Sequence, residues 1–209
     1  MKFSFVHVGA ALGLVAALAG CGGKAQYTVK GTIAGLSNSG LVLSNGSDTV
    51  SVPAGATSFS FSRQISYGDS FDVEVKTPPA HMTCAVDGVS NRGSAGLTIE
   101  INALVSCTQN TYTLGGQFTG LTAAADGTAR LITLTNGSSS ITVSSASGTN
   151  GAGEFSFGNL PDGSNYGVTW LDPIKAGLTD YGVKCTVSNG IGVINEANVS
   201  NLLVACTPR

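Results

Sequence analysis

Few residues of this chain have side chains suited to chemistry, and their spacing narrows what they could do. The chain holds five cysteines, at positions 21, 84, 107, 185 and 206, and two histidines. His7 lies in an apolar N-terminal run, which leaves His81, in a loop after Pro78-Pro79-Ala80. A Ser-His-Asp relay needs a histidine held by an acid beside an activated serine. No G-x-S-x-G elbow or comparable turn supplies that serine, so His81 reads as a solvent-exposed loop residue. No H-E-x-x-H, P-loop or dinucleotide fingerprint occurs. Asp72 and Glu74 alternate on one strand face about 7 Å apart, the pattern of a solvated sheet face. Asp126-Gly127 and Asp162-Gly163 read as turns, and no Asp-x-Asp-x-Asp-Gly loop offers a calcium site. Sugar recognition needs exposed aromatic rings. Trp170, the only Trp, falls on the inward side of its alternation, so Tyr67 and Tyr181 are the candidates for ligand contact. The expectation is a non-enzyme with no catalytic residue, no metal ligand set and no cofactor.

The elements that carry these residues follow from composition. Only 11% of residues are charged and 29 are glycine. Long helices need charged outer faces, so the balance favours strands and turns. The formal net charge is −2. Without Lys2 it becomes about −3, because twelve acids then face nine bases. No basic stripe exists to meet nucleic acid.

Met1-Lys2 followed by an apolar stretch from Phe3 to Ala17 has the form of a secretory leader, too short for a stable spanning helix. Leu18-Ala19-Gly20-Cys21, at the end of that stretch, resembles the lipobox of bacterial lipoproteins. The resemblance implies a leader of residues 1–20 that is removed, a lipid (palmitate-type acyl chains) on Cys21 and a lipidated tether of residues 21–26. Gly22 after the cysteine implies the outer membrane as destination, on its periplasmic or cell-surface face. Several acyl chains make such an anchor essentially permanent. The five residues after the cysteine, Gly22 to Gln26, reach at most about 17 Å, which holds the first folded unit close to lipid.

The rest of the chain contains itself twice. YTVKGTIAGL (27–36) matches YTLGGQFTGL (112–121), SFSF (58–61) matches EFSF (154–157), and GDSFDVEV (68–75) matches GSNYGVTW (163–170). TCAVDG (83–88) matches KCTVSNG (184–190), and NALVSCT (102–108) matches NLLVACT (201–207). The matched segments alternate with period two. Phe59 and Phe61, then Phe71, Val73 and Val75, point one way. So do Met82, Cys84 and Val86, and the run Leu97, Ile99, Ile101, Ala103, Val105 and Cys107. Asn45-Gly46, Pro53-Ala54-Gly55, Asn136-Gly137 and Pro161-Asp162-Gly163 are turn signals between them. About seven short strands per copy, one face buried and one wet, predict an all-β chain of two tandem antiparallel Ig-like β-sandwich modules. Their spans are 27–109 and 110–209. With Cys21 assigned to lipid, four cysteines allow three pairings. The duplication selects Cys84–Cys107 and Cys185–Cys206, one bridge per module.

Together these segments resemble the tandem, cysteine-stapled Ig-like repeats of bacterial cell-surface lipoproteins and adhesin stalks. The shared motifs are structural, and no ligand site comes with them. The resemblance implies a membrane-anchored structural or adhesive module at the cell envelope. Its partners would be membrane lipid through the anchor and an envelope protein or glycan, not nucleic acid. The alternative is a ligand-binding accessory lipoprotein for polysaccharide or peptide, and the third reading is an enzyme.

Overall fold

The computed structural model describes residues 23–209; Cys21 and the leader lie outside the described residues. The first half forms eight strands: β1 (Gln26–Ala34), β2 (Leu41–Asn45), β3 (Asp48–Val52), β4 (Ser58–Ser66), β5 (Ser70–Thr77), β6 (Met82–Val86), β7 (Arg92–Ser94) and β8 (Ile101–Gln109). The second half repeats the series: β9 (Thr111–Thr119), β10 (Leu131–Asn136), β11 (Ser139–Ser144), β12 (Gly153–Pro161), β13 (Asn165–Trp170), β14 (Val183–Ser188), β15 (Ile191–Val193) and β16 (Val199–Pro208). A short helix, α1 (Pro173–Ala176), lies in the loop after β13.

Each half builds two four-stranded sheets. Their orders are β4-β1-β8-β6 and β3-β2-β5-β7 in the first, and β12-β9-β16-β14 and β11-β10-β13-β15 in the second. Apolar residues at alternate positions meet between the sheets of each half. Val29, Phe59, Phe61, Ala103 and Val105 from one sheet pack with Leu41, Leu43 and Val73 from the other. Leu114, Phe118, Leu202 and Val204 pack with Ile132, Leu134 and Val168 in the second half. These are two β-sandwiches, each with its own core. Cys84 is bonded to Cys107 and Cys185 to Cys206, in each case across directly paired residues of neighbouring antiparallel strands.

The hairpins explain part of the glycine content. Asn45 pairs with Asp48 and Asn136 with Ser139. The first loop residue of each hairpin, Gly46 or Gly137, has φ of +58° or +59°, which glycine adopts without steric cost. Close approach explains two more glycines. A Cβ at Gly31 would lie 2.1 Å from Ala103 O, and one at Gly116 would lie 2.0 Å from Leu202 O. Only glycine lets the first and last strands of each sandwich come together there.

Three sequence expectations change. Each half has eight strands rather than seven, because the three-residue edge strands β7 and β15 are too short to show a period. The sheets are antiparallel except for one pair in each half: β1 runs parallel to β8, and β9 to β16. Alternation is the same in either direction, so the pattern could not distinguish them. Leu97 and Ile99 lie before the start of β8 and are exposed, not part of its inward face. The parallel pairs have a topological consequence. The chain enters each sandwich at one end and leaves it at the other. Among the described residues no helix is long and apolar enough to cross a membrane.

Candidate functional site

A hydrogen-bonded polar cluster lies where the chain passes from the end of β8 into β9. His81, just before β6, has φ of +61°, an uncommon conformation for a residue other than glycine. Its carbonyl accepts from the Asn110 backbone N–H at 3.0 Å and from the Gln109 side-chain amide at 2.9 Å. The same Gln109 amide donates to the carbonyl of Asp162 at 3.0 Å, and the Asp162 N–H donates to Asn110 O at 2.9 Å. Gln109 and Asn110 thus tie the loop before β6 to the β12–β13 turn of the other sandwich. Thr83 Oγ1 donates to Asn110 Oδ1 at 2.7 Å and fixes that side chain in turn.

Asp162 is one of two buried polar residues given by the described structure, the other being Asn91. Its Oδ1 accepts from the backbone N–H groups of Glu196 at 2.8 Å and Gly163 at 3.0 Å. Its Oδ2 lies 3.0 Å from His81 Nδ1. That approach is short but poorly aligned, and neither atom has another hydrogen-bond partner. It is a close polar contact rather than a full hydrogen bond. The Glu196 amide above all, with His81 and the Gly163 amide adding to it, holds the Asp162 carboxyl below the usual carboxylate range; burial works the other way. A Cβ at Gly163 would come within 2.9 Å of the His81 ring, so glycine is what admits the imidazole.

This placement corrects the reading of His81 as a free surface residue. Its side chain is 37% exposed and rests on a carboxylate with no exposed surface at all. The partner is 81 positions away and in the other half of the chain, so no local spacing announces the pair. Among the described residues no serine, threonine or cysteine side chain hydrogen bonds to His81. The geometry suits holding two sandwiches together.

The other candidates are dispersed. Tyr67, in the β4–β5 turn, is 58% exposed and packs against Gly96. Tyr181 is half-buried in the second sandwich, where it lines a hollow of about 240 Å³ with Thr133, Pro173 and Leu178. The two tyrosines therefore belong to different surfaces. Trp170 is half-buried, with the Arg209 guanidinium 5.6 Å from its ring, a cation–π distance. Arg209 also meets Asp172 at 2.6 Å and Asp180 at 3.6 Å, closing the C-terminus over that edge. Asp72 is half-buried and Glu74 exposed. Asp72 lines an open groove of about 750 Å³ together with Asp48, Asp69, Arg63 and Arg92. Two of these acids already cap backbone, Asp69 accepting from Ser66 N–H and Asp48 from Arg63 N–H. The groove is assembled from β2–β3, β4, β5 and β7 segments, and no contiguous motif marks it. Among the described residues no group of three or more His, Cys, Asp or Glu side chains gathers in a way that could hold a metal ion.

Neither a family model nor a curated protein matches the chain. Solved structures do. The Bacillus anthracis TIE protein matches 88% of this chain at 13% identity with a TM-score of 0.50, and this chain spans 34% of that one. The major pilin T3.2 of Streptococcus pyogenes matches 89% of this chain and 98% of its own length at 12% identity, with a TM-score of 0.31. The S. pyogenes T-13 major pilin matches 90% and 98% at 10% identity, with a TM-score of 0.34. At these identities the likeness to the TIE protein is one of fold.

Proposed function

We propose that this chain is a non-enzymatic lipoprotein, anchored through Cys21 to the bacterial outer membrane, whose modules 27–109 and 110–209 form a structural or adhesive stalk. One observation carries the reading: the parallel β1–β8 and β9–β16 pairings make the chain enter and leave each sandwich at opposite ends. Modules joined this way follow one another in line, with the tether at one end. A strand of nine residues such as β1 spans about 30 Å, so two modules project a C-terminal surface on the order of 60 Å from the tether. The Gln109, Asn110 and His81–Asp162 contacts stiffen the joint. The fold likeness to the TIE protein supports a module of this architecture. Cells lacking the protein should lose surface attachment, envelope integrity or recovery of an envelope partner. Restoration by the full chain but not by a form ending at residue 109 supports the stalk. Cells that match the parent in all three respects contradict it.

A second reading, a ligand-binding accessory for polysaccharide or peptide, rests on the polar groove beside Asp72 and the hollow beside Tyr181. Glycan-array binding lost on Tyr181→Ala would favour it over the stalk.

A further inference from the structure

The tether end of the first module differs in chemistry from the same end of the second. Parallel pairing of β1 with β8, Val29 opposite Ile101, places the loop before β8 beside the start of β1. Tyr67 donates its backbone N–H to Ala25 O at 2.8 Å, and its ring lies so close over Gly96 that a Cβ there would be 2.3 Å away. Tyr67, Leu97 and Ile99 therefore share the end where the tether enters. They are 58%, 81% and 96% exposed. Val89, also exposed, lines a groove of about 330 Å³ with Leu97.

The duplicate provides the comparison. Gly68 N–H donates to Ala95 O in the first module as Gly163 N–H donates to Ile194 O in the second. By that equivalence Tyr67 corresponds to Asp162, Leu97 to Glu196 and Ile99 to Asn198. In the second module this end abuts the first, and its residues are polar. Asp162 meets His81 and the Glu196 N–H, and Asn198 Oδ1 accepts from Thr113 N–H at 2.9 Å. In the first module the same positions are large and apolar, and among the described residues nothing covers them. Water favours the opposite arrangement, with apolar side chains in the joint and polar ones at the free end.

We propose that Tyr67, Leu97 and Ile99 form a foot that seats in the bilayer surface, with Leu97 and Ile99 at the acyl boundary and Tyr67 at headgroup level. This rests on the reading of Cys21 as lipidated. The five residues from Gly22 to Gln26 reach at most about 17 Å, which confines this tip to the membrane surface. Lys24 is exposed on the tether, where anionic headgroups attract it. The acids of this tip are engaged: Glu100 is paired with Lys30 at 3.2 Å, and Asp69, beside Tyr67, accepts from Ser66 N–H at 2.8 Å.

The test uses the full chain, purified from membranes and reconstituted in phosphatidylethanolamine–phosphatidylglycerol vesicles. An environment-sensitive fluorophore is placed at Ile99→Cys, or at Ala125→Cys in the loop beyond β9, at the far end of the second module. Nitroxide-bearing lipids should quench the label at 99 by about twofold or more, as for a side chain at the acyl boundary, and leave the label at 125 unchanged. Equal, slight quenching at both sites in a vesicle-bound protein overturns the foot. The mass of the N-terminal peptide separates this outcome from failure of the anchor. Unmodified Cys21 with a quenched label at 99 removes the anchor and keeps the foot; unmodified Cys21 with an unquenched label overturns both.

Discussion

Replacing Cys84 and Cys107 together by alanine removes the staple between β6 and β8 and tests whether each sandwich stands on its own core. The two cysteines are 23 positions apart, on directly paired residues. Cross-linking a loop of that length removes denatured-chain entropy worth about 3 kcal/mol. The closed loop runs through β7 and into β8, whose buried Ile101, Ala103 and Val105 belong to the core, so the expected loss is that of the constraint on the denatured chain. For a module of this size each 1 kcal/mol moves the midpoint by about 4–8 °C. The first module's transition should therefore fall by about 12–24 °C. Differential scanning calorimetry on the double variant reads this directly. The transition of the second module, with its own core and its own Cys185–Cys206 bridge, should move far less. Mild reduction of the unaltered protein should lower both transitions. A fall of under about 4 °C in the first transition would mean that the bridge constrains an already compact denatured chain and would refute the entropy argument. Equal falls in both transitions would refute the independence of the two cores.

Other consequences are more local. Gly116→Ala sets a Cβ 2.0 Å from the Leu202 carbonyl and must push β9 from β16. Urea unfolding should show the second module destabilised by about 1–3 kcal/mol, the range of overpacked cores, and an unchanged midpoint contradicts the close approach. Asp162 has a folded-state pKa held below its ordinary value, chiefly by the Glu196 amide. The sign follows: its contribution to stability is fully present above the ordinary carboxylate range and is lost as pH falls through that range to the lower folded value. Thermal unfolding followed from pH 6 to pH 2 should lose part of its acid sensitivity in Asp162→Asn, and a superimposable pH profile would count against the buried-carboxylate account.

The sequence carried the repeat and the alternation because both are periodic. Phe59 and Phe61, Val73, and the run from Ile101 to Cys107 are buried where period two puts them. The duplication also reduced three cysteine pairings to the one observed. What periodicity does not encode was not legible. Strand direction is one such property, since β1 beside β8 alternates identically whether parallel or antiparallel. The joint is another, because His81 and Asp162 meet across a boundary that no repeat spans. One signal was present: Asp162 stands where the first copy has Tyr67, and a change from aromatic to acid at matched positions marks different surroundings. Leu97 and Ile99 show the reverse error. They continue the alternation of β8 past its first residue, and an apolar residue in register is not thereby buried.

The stalk reading depends most on Cys21, so the most direct measurement is made there. Cells expressing the unaltered chain are labelled with a radioactive or clickable fatty acid, and the N-terminal peptide of the purified protein is weighed. The account predicts that the mature chain begins at Cys21, carries acyl chains and sediments with the outer membrane, and that Cys21→Ser abolishes the label. A mature N-terminus elsewhere, or a Cys21→Ser protein that still takes up the fatty acid, would contradict it.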